Sequence, residues 1–234
     1  MTKILSLSTI VLTIASSLFS EIGRNSLDLS IGFVDDKLKG TSSTGTKSQS
    51  RIEGFTWSIG GSINAYSDSK SAYGLDIGAG ISNGPDLSFT LGATEGSFEF
   101  INYGIGLLPY YNFTNDTKLF ASFNYAYYDY ELDYLGLKAK ADGNSYSLGL
   151  GIEKKLSAIT ITPGIFFGIN PDDAESNIDD PDGVTFSLPI TLAQNENSEI
   201  SLGVSYTKFD DFAINSTNYE NTRIGFGLGY SHKF

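Results

Sequence analysis

The feature that most constrains this chain is a period-two alternation of apolar and small polar residues, repeated between turn signals along its length. Ile200, Leu202, Val204 and Tyr206 alternate with Ser201, Gly203, Ser205 and Thr207. Val184, Phe186, Leu188, Ile190 and Leu192 alternate with Thr185, Ser187, Pro189 and Thr191, and Tyr146, Leu148, Leu150 and Ile152 with Ser147, Gly149, Gly151 and Glu153. Six earlier or intervening stretches repeat the pattern, led by Leu27, Phe55, Tyr73, Ile101, Leu119 and Ile159, and Ile224–Tyr230 makes ten. Successive side chains of a strand point to opposite faces, so each stretch reads as a strand with one greasy face. The other face is Gly, Ser, Thr and Asn.

A sandwich buries its greasy faces between two sheets, whereas a membrane barrel turns them to lipid and keeps the polar faces inside. The connections favour the barrel. Short ones (Ser67–Ser71, Asn112–Thr117, Lys155–Ser157, Gln194–Ser198) alternate with long ones (Asp36–Arg51, Ser82–Ser97, Glu131–Asn144, Asn170–Gly183, Asp210–Asn221). Short turns on one rim and long loops on the other are the habit of outer-membrane barrels. Aromatic pairs near strand ends, Tyr110-Tyr111 and Tyr127-Tyr128, suit the two interfacial girdles. The expected fold is all-β: a transmembrane, antiparallel, up-and-down β-barrel of ten strands, with eight and twelve as the alternatives. Leu87–Ala93 also alternates. Counting it as an eleventh spanning strand would put the termini on opposite sides, so it reads as a β extension within the second long loop.

The first twenty residues stand apart. Lys3 precedes an uncharged apolar run from Ile4 to Phe19, the pattern of a secretory signal peptide, with cleavage after Ser20 or after Ser17. Residues 21–234 then form a single barrel domain.

Composition excludes several functions. The net charge of −12 argues against nucleic-acid binding, which needs Lys and Arg to neutralise phosphates. The absence of Cys removes disulfides and thiol nucleophiles, and a single His removes multi-His metal sites.

The C-terminus, Ile224-Gly225-Phe226-Gly227-Leu228-Gly229-Tyr230-Ser231-His232-Lys233-Phe234, resembles that of the bacterial outer-membrane β-barrel superfamily. Its members end in Phe preceded by apolar residues at alternate positions. The resemblance implies that Phe226, Leu228, Tyr230 and Phe234 form the sorting signal read by the outer-membrane assembly machinery. His232 departs from the pattern, where an aromatic is preferred. The implied location is the outer membrane. The resemblance names a superfamily rather than an activity.

Three chemistries bear on function. Barrel enzymes of that superfamily work with a reachable His, but His232 lies two residues from the end, so no general base accompanies an external Ser or Asp, and no enzymatic activity is expected. The fourth long loop carries Asp172, Asp173, Glu175, Asp179, Asp180 and Asp182 without a base, a set of hard oxygens able to take Ca²⁺ or Mg²⁺, though without the EF-hand register. By parity Asp28, Asp76 and Glu153 face inward near the short-turn rim with Lys233 in the same layer, a charge cluster of the lumen, and Arg223 faces inward at the opposite end. Inward glycines leave room for a pore, while inward Tyr110, Phe120, Tyr128 and Phe166 can fill it. The expected function is a narrow passive channel or a structural barrel. The alternative is a surface protein binding a partner through its long loops. Lipopolysaccharide is the expected lipid partner, with basic Lys37, Lys39, Lys47 and Arg51 in the first loop as its direct contact.

Overall fold

The computed structural model describes residues 21–67, 72–91, 94–169, 182–209, 212–214 and 217–234. These form β1 (Ser26–Ser42), β2 (Lys47–Ser67), β3 (Tyr73–Leu91), β4 (Thr94–Thr114), β5 (Thr117–Tyr134), β6 (Leu137–Leu156), β7 (Ile159–Ile161), β8 (Gly164–Ile169), β9 (Gly183–Asn195), β10 (Ser198–Phe209), β11 (Phe212–Ile214) and β12 (Thr217–Lys233). Neighbours pair antiparallel in chain order, and β1 pairs with β12 from Ser26↔Lys233 to Ser42↔Thr217, which closes the sheet into a barrel. The wall has ten strands. β7 and β8 both lie between β6 and β9 and form one wall strand, interrupted where Pro163 has no N–H to give. β11 pairs with β12 at Phe212↔Tyr219, beyond the end of the β10 pairing.

The lower part of the wall has the polarity of a membrane barrel. Ile31, Phe55, Ile105 and Leu150 are each more than half exposed on the outer face. Soluble monomers rarely show a contiguous apolar patch above a few hundred Å², so a belt around the whole circumference needs lipid against it. Aromatic side chains border it. Near the long-hairpin rim Tyr103 meets Tyr127 at 6.5 Å, Tyr125 meets Tyr146 at 5.4 Å and Phe33 meets Phe55 at 5.5 Å, while Tyr73 and Tyr111, 4.9 Å apart, sit near the other rim.

The first three long loops prove to be strand, which corrects the sequence reading. β1 and β2 leave only residues 43–46 between them, and β5 and β6 only Leu135 and Gly136. β2 has 21 residues, about twice the ~9–11 that a tilted spanning strand needs. The excess stands above the belt, and there the polarity inverts. Val34, Leu38, Ile52, Phe98, Phe100, Tyr128, Tyr130 and Leu132 point inward and are buried, while Lys37, Arg51, Glu99, Glu131 and Asp133 face out. The upper wall is thus built like a soluble sheet, with charged residues outside and an apolar core packed on its inner face.

β3 makes the switch with its backbone. A bulge between Gly84 and Leu87 shifts the register, so odd residues that face out in Tyr73–Ile81 face in as Leu87 and Phe89. Gly54 lies opposite this bulge with φ +154°, and a Cβ there would come within 2.7 Å of the Leu87 side chain. The expected β extension over Leu87–Ala93 is present as far as Leu91.

Candidate lumen and its two closures

The candidate functional site is the lumen, which has three layers. The upper layer is the apolar core: Leu87, Phe89, Phe98, Phe100, Tyr128, Tyr130 and Leu132 pack with Val34 and Ile52. Phe98 and Leu87 retain 0% and 1% of their accessible surface. Beside this core Arg223 binds buried Asp36 at 2.7 Å and lies 5.3 Å from the Phe209 ring. Asp36 opens the first expected long loop, and Asp35 precedes it. Both are in β1, and strand parity sends Asp36 inward to Arg223 and Asp35 outward to Lys37 and Arg51.

The middle layer is polar. Ser30 and Ser58 bond at 2.6 Å, Thr185 and Thr207 at 2.9 Å, Thr191 and Ser201 at 3.2 Å, and Asn124 donates to Ser147 at 3.1 Å. Beneath Arg223 a cavity of ≈ 50 Å³ is lined by Ser30, Thr56, Ser58, Ser187 and Ser205. At ~10–15 Å³ of such volume per water it has room for a few waters.

The lower layer sits at the short-turn rim, where Glu21 and Phe234 also lie. Tyr110, Phe120 and Phe166 gather there with Ile22. The inward aromatics lie across bare backbone of neighbouring strands. A Cβ on Gly149 would come within 2.3 Å of Phe166, and one on Gly151 within 2.3 Å of Phe120. The glycine-rich wall is therefore occupied by rings at this level.

Asp28, Asp76 and Glu153 are all buried and inward, as parity requires, but Lys233 joins none of them. It pairs with Glu199 and, at 2.8 Å, with Glu21. Glu153 pairs with Lys118 at 3.0 Å, Asp76 accepts from Asn64 at 2.7 Å, and Asp28 accepts from Ser26 at 3.0 Å. Sharing a layer puts these groups at one height but leaves circumferential position open, and Glu199 is nearer to Lys233 around the ring. Glu199 and Lys118 were legible by the same parity, next to Ile200 and Leu119, and were missed. The part played by Glu21 and Ile22 had no periodic signal to show it.

Of the acidic set, Asp182 is exposed just before β9, while Asp172, Asp173, Glu175, Asp179 and Asp180 lie outside the described residues, as do Asp210 and Asp211. Among the described residues no group of three or more His, Asp and Glu side chains gathers to hold a metal ion. Phe226, Leu228, Tyr230 and Phe234 are exposed on the outer face, and Tyr230 meets the Ser198 hydroxyl at 3.2 Å. His232 is exposed near the short-turn rim.

Outside the belt the charges form ladders. Arg51 bridges Asp35 and Glu53, each at 2.7 Å, and its hydrogen bond holds the Asp35 carboxyl below the usual range. Lys138 at 2.8 Å and Lys140 at 2.7 Å bond Glu131 and lower its pKa to about 2.

No protein-family model and no curated protein matches the sequence. Solved structures match the fold. The outer membrane protease OmpT from Escherichia coli superposes with a TM-score of 0.54 at 11% identity, over 90% of this chain and 97% of its own. The transport unit of the autotransporter AIDA-I from Escherichia coli gives 0.53 at 15% identity, over 94% of this chain and 95% of its own. At such identities the likeness is one of fold, and activity does not travel with it. The chain has the fold of bacterial outer-membrane β-barrels, and with its continuous apolar belt it is an outer-membrane protein. The short turns, Glu21 and Phe234 lie at one rim, and the long hairpins rise from the other.

Proposed function

We propose that this protein is a structural outer-membrane barrel without enzymatic activity, whose lumen passes no current and whose upper wall raises a rigid β stem above the lipid. The observation that carries the reading is the burial of Phe98, Leu87 and Tyr130 across the upper lumen, where a channel would keep water-lined space. It supports the structural form of the expected barrel over its narrow-channel form. Ten strands also lie near the small-barrel end, where side chains fill the interior. A non-enzymatic role is supported by the exposed rim position of the single histidine. Planar-bilayer recording on purified protein is the test. No discrete conductance steps are expected, and regular steps would overturn the closed reading.

A second reading, a surface protein binding a partner, is favoured by one observation. Leu135 and Leu137, at the tip of the β5–β6 hairpin, are 71% and 74% exposed, far from the belt. Loss of partner binding in a Leu135→Ser, Leu137→Ser variant of unchanged fold would support it. For the lipid partner, Lys37 and Lys39 on the outer face above the belt support contact with lipopolysaccharide phosphates, and the acidic fourth loop remains the proposed place for bridging Ca²⁺ or Mg²⁺. The assembly machinery is the proposed reader of the Phe234 terminus.

A further inference from the structure

Glu21–Arg24, ahead of Asn25 and β1, is not a loose tail. Ile22 keeps only 4% of its surface and packs among Tyr110, Phe120 and Phe166 inside the short-turn mouth. Two successive amides are taken by two wall carboxylates: Ile22 N–H donates to Glu153 Oε2 at 2.8 Å, and Gly23 N–H to Asp76 Oδ2 at 2.6 Å. Lys118 donates to the Ile22 carbonyl oxygen, Ser62 Oγ donates to that of Arg24 at 3.2 Å, and Lys233 pairs with Glu21 at 2.8 Å. The acceptors and donors come from β2, β3, β5, β6 and β12, so the segment is held from several sides of the ring. Gly23 has φ +87°, and a Cβ on it would come within 2.8 Å of the Tyr110 hydroxyl, so the close seating requires glycine.

None of these residues belongs to the wall, and Glu21–Arg24 can leave without breaking a strand pairing. Above them, past buried Ser26 and Asp28 on β1, lies the middle layer, whose cavity begins at Ser30 and Ser58. We propose that Glu21–Arg24 is a seated plug, latched by the Asp76 and Glu153 carboxylates, and that its withdrawal opens the middle lumen to the periplasm while the upper apolar core keeps the outer end shut. The proposal goes beyond the closed-barrel reading and is separable from it: access from one side needs no current through the barrel.

The chain has no native Cys, so a single reporter can be read cleanly. Ser58→Cys places a thiol on the cavity wall with little change in volume. Maleimide labelling of this protein, purified from membranes, is expected to be slow. Adding Ile22→Asp, which sets a charge against three aromatic rings, should speed labelling at least tenfold, whereas Ile22→Leu should leave it slow. Heat-modifiability on a gel reports that each barrel is intact. Where Ile22→Asp fails to assemble, deletion of Glu21–Arg24 serves instead, since it removes no strand residue. Equal labelling rates with and without the seated segment, whether both fast or both slow, would overturn the proposal.

Discussion

The lower and upper halves of this barrel share one sheet and one period, yet they solve opposite problems. Below, Leu148 and Ile105 face lipid and Ser147 and Ser122 line the lumen. Above, Phe98 and Tyr130 face the lumen and Glu99 and Glu131 face water. The comparison teaches that alternation alone fixes the strand but not which face is wet. The phase of the pattern decides that, and the phase changes near Phe33/Val34, Phe100/Ile101 and Tyr127/Tyr128 by sequence and in β3 by a bulge.

The largest effect is expected from the upper core. Phe98→Ala removes a fully buried ring and should destabilise the external stem by about 3–5 kcal/mol. The loss should appear as protease cleavage within β3–β6 above the belt, with the lower barrel still heat-modifiable on a gel. Ser97→Ala, one residue away on the outer face, should change nothing measurable. If both variants resist protease equally, the upper half has no core and the contrast collapses.

The mirror experiment belongs to the belt. Leu148→Arg puts a charge on the lipid-facing surface and should cost roughly 2–4 kcal/mol if it lies near the bilayer midplane. The same residue placed at Glu99, on the outer face of the upper wall, should cost far less because water is there to solvate it. Chemical denaturation in lipid vesicles measures both. Equal costs at the two sites would mean that the belt has been placed wrongly.

How much of this was legible follows from the same physics. Ten spanning strands, the outward belt and the inward placing of Asp28, Asp76 and Glu153 all depend on parity, which a sequence displays directly. The first and third long loops read as loops because Asp36, Lys37, Lys39, Glu131, Asp133, Lys138 and Lys140 are charged and break the alternation of apolar with small polar residues that marks the other strands. On the upper wall charge is instead what a water-facing strand carries, and inward Leu38 and Leu132 were the sign of it. Which charges of the lower layer pair with one another is not legible, since parity gives inward or outward and nothing about angle around the ring. The plug was hidden for a different reason: four residues are too few to show a period.

A smaller effect is expected where rings lie over glycine in the lower lumen. Gly149→Ala sets a methyl within 2.3 Å of both Phe166 and the Ser122 hydroxyl. Overpacking of this kind costs about 1–3 kcal/mol, and the ring cannot retreat into lipid. Gly136→Ala is not a fair control, since its φ is +75°, so the comparison is with Ala121, which already faces outward in the same region. Ala121→Gly should cost less than Gly149→Ala in denaturant unfolding. A neutral Gly149→Ala would show that Phe166 does not fill the lumen there.

The smallest effect concerns charge on the upper wall, where the stem meets water. Glu131 is held by Lys138 and Lys140, and its pKa is lowered from 4.5 to about 2. A depressed carboxylate pKa adds stability that is present above the unfolded value and is lost as pH falls through the folded one. The stem should therefore keep this group's full contribution, unchanged, from pH 7 down to the unfolded value, and the contribution should fade from there down to about pH 2. Because the carboxylate is open to solvent, screening keeps the contribution small, and added salt should shrink it further. The direct measurement is the NMR titration of the Glu131 side-chain carbonyl, with a midpoint near 2 expected in the folded protein. Glu131→Gln should flatten this part of the pH profile while leaving belt and lumen untouched. A midpoint at the ordinary glutamate value would mean that the two lysines do not close on it, and that the outer charge ladders add nothing to the stem.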